Sequence, residues 1–127
     1  MKKFILVLAM FAAVQTLRAT DFTISQASGT INATLITATT NATGSSFFVE
    51  VAKNHTFHIL AAATGTNNVY LDRSLNNSAW ICFSTNSFTA TGGTNEVTAT
   101  GHFSYVRARV GEATNTISTK VLYLGGN

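Results

Sequence analysis

GHFSYVRARVG, residues 101–111, decides the fold class because its side chains alternate in character with a period of two. One face is mostly small or apolar, as on a strand packed against a core, and the other carries aromatic rings followed by two arginines. Arg107 and Arg109 are therefore predicted to point the same way. They could be exposed and stacked on neighbouring strands, or they could pair with carboxylates such as Glu50 or Asp72 in the same domain or on a neighbouring subunit. The first face comprises His102, Ser104, Val106, Ala108 and Val110, and the second comprises Phe103, Tyr105, Arg107 and Arg109.

The same alternation recurs outward from this stretch along the chain. Short runs rich in Thr, Val, Ile and aromatic residues are separated by turn-forming pieces such as TGTN, LNN and TGGTN. Eight or nine short strands spaced in this way predict an all-β protein, a single antiparallel β-sandwich of the jelly-roll or Ig-like kind. The predicted strands are residues 21–25, 30–39, 46–52, 55–62, 68–74, 78–84, 95–100, 102–110 and 116–124.

SAWICFS, residues 78–84, is apolar on both faces, unlike the other strands. Such a strand is usually central in its sheet or covered by a partner. We therefore predict that Trp80 lies in the core and that the single cysteine, Cys82, is buried and inert, with pairing between subunits as the alternative. In HTFHIL, period two places His55, Phe57 and Ile59 on one face.

Residues 1–19 predict a signal peptide helix that is removed on export. Lys2 and Lys3 precede an apolar run, and small Ala19 ends the segment. Without it the chain loses Lys2, Lys3 and Arg18, so the basic residues fall from eight to five and equal the five acidic ones. The remaining neutral domain gives no electrostatic reason to expect nucleic acid, or a membrane after cleavage, as a partner.

The segment 20–44 is predicted to form N-terminal strands, and 45–127 the sandwich domain. Residues 20–44 are almost uncharged and contain neither proline nor lysine, which would discourage pairing at a sheet edge. This segment could supply the first two strands of its own domain, or it could donate a strand to a neighbouring subunit. The predicted subunit contacts are Phe22, Ile24, Ile31, Leu35, Arg107 and Arg109.

Motifs for catalysis or metal binding are weak. The sequence has no G-x-S-x-G, H-E-x-x-H or Walker motif, and Glu50 and Asp72 lack any spacing that would pair them as acid and base. His55 and His58 are three residues apart, which places them on opposite faces of a strand and away from a common metal ion. We predict no enzyme activity, no cofactor and no metal.

Aromatic residues at strand rims suggest a weaker possibility, stacking on sugar rings. The candidates are Tyr70, Trp80 and Tyr105. Four Asn-x-Ser/Thr sequons would accept glycans only in a host that glycosylates secreted proteins. They lie at Asn32, Asn41, Asn54 and Asn76.

SLNNSAWICFSTNSF and the later HFSYVRARV and TISTKVLYLGG give residues 46–125 a recognisable layout. A Trp-bearing strand, a polar loop, an aromatic and arginine strand and a final Thr/Val-rich strand resemble small β-sandwich proteins of phage virions and of secreted bacterial surfaces and filaments. The resemblance implies a non-catalytic structural or attachment module, and it transfers no functional residues.

We therefore expect a secreted protein, extracellular or at the cell surface, that self-associates as a subunit of a filament or surface layer. Strand addition between subunits is one way in which it could assemble. Two alternatives remain, a phage virion decoration or fibre protein and a carbohydrate-binding adhesin domain. The partner is expected to be the protein itself, or a polysaccharide in the last case.

Overall fold

The computed structural model describes residues 22–25, 30–63, 65–115 and 117–127. The predicted signal peptide, residues 1–19, lies outside them. Within the described ranges the chain is all-β, with ten strands and no helix, so no helix there is long and apolar enough to cross a membrane. The strands are β1 (Phe22–Ser25), β2 (Thr30–Ala38), β3 (Ala42–Thr43), β4 (Phe47–Phe48), β5 (Asn54–Ala63), β6 (Asn67–Ser74), β7 (Ile81–Phe88), β8 (Gly93–Thr100), β9 (Tyr105–Gly111) and β10 (Ile117–Gly126).

Two antiparallel sheets pack face to face, as the sequence predicted. The first has the order β1-β2-β10-β5-β8, and the second has the order β3-β9-β6-β7, with β4 also paired to β9. Both β1 and β2 belong to the sheet of their own chain, where β2 lies between β1 and β10. The strands β7 and β8 are consecutive in sequence but lie at the edges of different sheets.

The core consists of the alternate residues that the two sheets turn toward each other. His55, Phe57 and Ile59 of β5 are buried on one face, as their period-two spacing predicted, while His58 between them is exposed. Val106, Ala108 and Val110 of β9 supply the facing layer from the second sheet. The opposite face of β9 is thereby turned outward.

Two bulges modify this alternation. In β2 the register with β10 shifts at Leu35, and two consecutive residues, Leu35 and Ile36, are both buried. In β7 the register with β6 shifts at Phe83, because Leu71 pairs with Ser84 whereas the next residue, Asp72, pairs with Cys82. The second bulge turns Phe83 toward the core aromatic rings and leaves Cys82 on the outer side.

The bulge and the edge position of β7 correct three predictions for residues 78–84. The strand starts at Ile81 and runs to Phe88, and it lies at the edge of its sheet rather than at the centre. Cys82 is exposed, not buried, since it stands opposite the outward-facing Asp72. Trp80 precedes the strand and is only half-buried, outside the core. The apolar stretch on both faces therefore does not mark a central strand.

Two other predicted strands are shorter in the structure than the sequence indicated. Residues 46–52 form only the two-residue β4, after which Val49 is buried and Val51 is exposed, because a turn follows the strand. The strand predicted for 102–110 begins at Tyr105. Phe103 therefore lies before the strand and does not follow its alternation. It is buried, although the sequence predicted that it lies on the outer face.

Candidate functional site

The outer face of the second sheet carries a cluster of charged residues built on register. Asp72 of β6 stands directly opposite Arg107 of β9, and Tyr70 stands opposite Arg109. Arg107 Nε donates to Asp72 Oδ2 at 2.9 Å, and Arg109 donates to the same carboxylate through Nε at 2.6 Å and Nη2 at 3.0 Å. The predicted pairing of both arginines with Asp72 thus occurs within one chain.

The Asp72 carboxylate is almost completely covered, with 1% of its side chain exposed, whereas the two arginines are partly exposed. Burial alone would raise the pKa of Asp72, but the hydrogen bonds and charges of Arg109 and Arg107 outweigh it and hold the pKa below 3.8. The same contact raises the pKa of Arg109. The cluster therefore stays ionised throughout the physiological pH range.

Each arginine also lies over an aromatic ring. The guanidinium carbon of Arg107 is 4.1 Å from the centre of the Trp80 ring, and that of Arg109 is 4.8 Å from the centre of the Tyr70 ring. These cation–π contacts order the rings without using the guanidinium hydrogens. They place two of the three predicted stacking residues on the same surface as both predicted arginines.

Hydrogen bonds and ring contacts complete the surface at its two ends. Tyr70 donates its hydroxyl hydrogen to Glu112 at 3.1 Å, and Asn68 donates to the same carboxylate at 2.6 Å. At the other end Tyr105 meets Phe48 edge to face, with ring centres 5.2 Å apart. We call the set Tyr70, Asp72, Trp80, Tyr105, Arg107 and Arg109 the Arg–aromatic face.

The Arg–aromatic face combines aromatic rings with oriented guanidinium groups. Arg107 and Arg109 are held in fixed positions by a buried carboxylate, so ordering them on ligand contact costs little side-chain entropy. Such a face can stack on flat apolar surfaces and donate hydrogen bonds to hydroxyl or carboxyl oxygens. Sequence analysis placed Tyr105, Arg107 and Arg109 on one face and named Asp72 as a partner, but it did not place Tyr70 and Trp80 beside them.

A second surface is the free edge of β7. This strand pairs with β6 on one side, and no described strand of its own sheet lies on the other side. Its sequence, ICFSTNSF, contains no charged residue, proline or glycine. The bulge shapes its first residues, and residues 84–88 continue in regular register with β6. Proteins usually protect an edge of this kind with lysine or proline.

The remaining predicted residues are distributed elsewhere. Ile31 and Leu35 are buried in the core of their own chain, where they have no outward surface to offer a neighbour. Phe22 and Ile24 lie in β1, and their side chains fall outside the described part of the structure. Among the described residues, no three His, Cys, Asp or Glu side chains converge as a metal site would require. The sequon residues Asn32, Asn41, Asn54 and Asn76 are all exposed.

The sequence matches no family model and no curated protein. Among solved structures it is similar to the SPBc2 prophage-derived protein YomS, with a TM-score of 0.52, 16% identity, and coverage of 76% of this chain and 93% of that one. A weaker likeness, with a TM-score of 0.43 and 21% identity, covers 90% of this chain and 79% of a chain described as "CBM4 structure and function". At these identities the first likeness shows a shared fold and nothing further.

Proposed function

We propose that this protein is an exported, non-catalytic structural domain that self-associates, as a subunit of an extracellular filament or surface layer. The observation that carries the proposal is the unprotected edge of β7, with its uncharged sequence and regular register over residues 84–88. Backbone N–H and C=O groups along such an edge accept another strand, with alternate side chains setting the register. The neutral composition after export reduces the repulsion between copies.

The β8 edge supports the same proposal. It also lacks a second partner strand within the described part of its sheet, and it lies near β7, since Asn95 of β8 donates a hydrogen bond to Asn86 of β7. One side of the sandwich thus presents two open edges. A neighbouring copy that pairs there would extend the β-structure from subunit to subunit.

A lysine in the regular part of β7 tests the edge. We expect Thr85→Lys to weaken self-association at least about tenfold, because a lysine on an edge strand discourages pairing with a strand of another chain. Sedimentation velocity over a concentration series measures the change, and negative-stain microscopy shows the assembly. Asn32→Lys, at an exposed position of β2 that pairs with both β1 and β10, is the matched control and should assemble normally.

The assembly proposal fails if the secreted wild-type protein remains a monodisperse monomer at high concentration. It also fails for this edge if Thr85→Lys and Asn32→Lys assemble equally well. A role as a virion decoration or fibre protein is the alternative within the same class, and the fold shared with a prophage-derived protein supports keeping it. Microscopy distinguishes the two, since a virion protein would be found on phage particles and not in free filaments.

A second candidate function is adhesion to polysaccharide through the Arg–aromatic face. The specific observation is that Tyr70, Trp80 and Tyr105 lie on one sheet face with two ordered arginines. Trp80 is the single tryptophan of the chain, so its fluorescence reports on this face alone. If sugars bind there, titration with cellohexaose, xylan oligosaccharides or alginate should change that fluorescence in a saturable way.

Calorimetry then tests the residues. We expect Trp80→Ala to weaken binding at least about tenfold, because a stacking ring is lost, and Tyr105→Phe to preserve it, because its ring remains. An unchanged fluorescence signal across all three carbohydrates would rule out this candidate and would leave the assembly proposal untouched.

A further inference from the structure

A cleft opens at the end of the β6–β7 hairpin, where the chain between β8 and β9 passes beneath it. Its volume is about 390 Å³. The walls are mostly apolar, and the cleft is separate from the Arg–aromatic face. The lining residues are Arg73, Ser74, Leu75, Asn76, Ala79, Ile81, His102 and Phe103.

Arg73 is the charged group of this cleft. Its guanidinium carbon lies 5.0 Å from the centre of the buried Phe103 ring, a contact with the ring face that uses no N–H donor. No carboxylate lies within 4.0 Å of it among the described residues, whereas Arg107 and Arg109 both bind Asp72. No acidic residue lines the cleft, and His102 adds an imidazole to its wall.

Two exposed hydrophobic residues stand beside this cation. Leu75 is 76% exposed and Ile81 is 61% exposed, among the highest values for large hydrophobic side chains in the described chain. A solvated arginine is ordinary by itself, and so is one exposed leucine. Their combination in one concave site, over a buried aromatic ring, is the arrangement of a pocket for an amphipathic anion.

The wall that carries Leu75 is held in place by its own hydrogen bonds. The side-chain oxygen of Asn76 accepts hydrogen bonds from the backbone N–H groups of Ser78 at 3.0 Å and Ala79 at 2.9 Å. The turn is completed by Asn77, whose φ of 58° suits asparagine. The cleft is therefore preformed, which lowers the entropic cost of binding.

We propose that this cleft binds a monoanionic carboxylate attached to a short branched apolar group. The carboxylate would accept two parallel hydrogen bonds from Arg73, and the apolar group would cover Leu75 and Ile81. A phosphate monoester fits less well, because its second negative charge would have to be desolvated against apolar walls with a single arginine to compensate it. This site is independent of strand pairing at residues 84–88.

The probe is 4-methylpentanoate, with the neutral 4-methylpentanamide as its matched control. Titration into isotopically labelled protein, followed by NMR chemical shifts, should move the Arg73 Nε–H and the amides of residues 74–79 and 102–103 in a saturable way. Arg73→Gln should weaken binding at least about tenfold, because the charge-assisted hydrogen bonds are lost. Lys120→Gln removes an exposed cation from the other sheet and should change nothing.

Two further variants separate the contributions of charge and shape. Arg73→Lys should bind with intermediate affinity, because lysine keeps the charge but not the planar fork. Leu75→Ala should weaken the binding of 4-methylpentanoate, because an apolar contact is lost. The fold should stay intact, since Leu75 is exposed. The proposal is overturned if the amide binds as well as the carboxylate, if Arg73→Gln binds unchanged, or if the shifts do not concentrate at the cleft.

Discussion

Replacing Asp72 by asparagine is expected to lower the free energy of unfolding by about 3–5 kcal/mol. Asparagine has nearly the same shape, so the loss comes from charge. Arg107 and Arg109 would then face each other's positive charge across a neutral amide whose NH₂ group cannot accept a hydrogen bond. Urea denaturation at neutral pH measures the change.

Glu112→Gln provides the matched control on the same sheet face. Glu112 is exposed and accepts hydrogen bonds from Asn68 and Tyr70, so its replacement should cost less than about 1 kcal/mol. If the two variants lose similar stability, the contacts of Asp72 with Arg107 and Arg109 contribute no more to stability than the exposed contacts of Glu112, and this prediction is wrong. A change in Trp80 fluorescence, from loss of the ordered Arg107–Trp80 contact, should accompany Asp72→Asn alone.

Acid should reproduce part of this effect in the wild-type protein. Because the pKa of folded Asp72 lies below that of the unfolded chain, its stabilising contribution is fully present above about pH 3.8 and is lost as the pH falls through the folded value. Asp72→Asn should lack this component of acid unfolding. This pH dependence of folding stability is opposite to that of a basic group with a raised pKa, which would stabilise the folded state at low pH.

Local alternation made the fold class predictable from sequence. In β9 and β5 every second residue is buried, and the period of two alone assigns Phe57, Ile59 and Val106 to the core. Those assignments depend on neighbouring residues in one strand, which the sequence displays directly. The pairing of Arg109 with Asp72, 37 residues away, could be named only as one of two possibilities.

Residues 78–84 show what local patterns cannot give. Their apolar character on both faces is typical of a central strand, but centrality is a property of sheet order, which depends on pairing between distant strands. Simple alternation correctly separates Phe83 from Cys82, but it does not show that the face of Cys82 is the outer face of an edge strand. Cys82 and Trp80 were misplaced for this reason, and the cleft beside Ile81 could not be foreseen at all.

The buried His55 leads to the second large effect. Its Nδ1 lies 2.7 Å from the Tyr123 hydroxyl, its Nε2 lies 3.1 Å from the Gly101 carbonyl oxygen, and its ring stacks on Phe103 at 4.2 Å. The neutral ring therefore donates from Nε2 to Gly101 and accepts at Nδ1 from Tyr123. We expect His55→Ala to lower the free energy of unfolding by about 3–5 kcal/mol, because it leaves a cavity and removes the hydrogen-bond partner of the buried Tyr123 hydroxyl.

His55 should also make the fold sensitive to mild acid. Burial lowers its pKa below 6.5, and the hydrogen bond to Gly101 only partly opposes this. The unfolded chain therefore takes up a proton before the folded one does, and stability should fall as the pH drops below 6.5, by at most about 1.4 kcal/mol per pH unit. Urea denaturation between neutral pH and pH 5 measures this slope.

Variants at two histidines isolate the cause of that slope. His55→Phe keeps a stacking ring but cannot be protonated, so its stability should be lower at neutral pH and nearly flat toward pH 5. The double variant His55→Phe/Tyr123→Phe should recover part of the loss, because it removes the hydroxyl group that the single variant leaves unpaired. His102→Gln changes an exposed histidine and should retain the wild-type slope. A slope that persists in His55→Phe and disappears in His102→Gln would show that the surface residue, not the buried one, senses the acid.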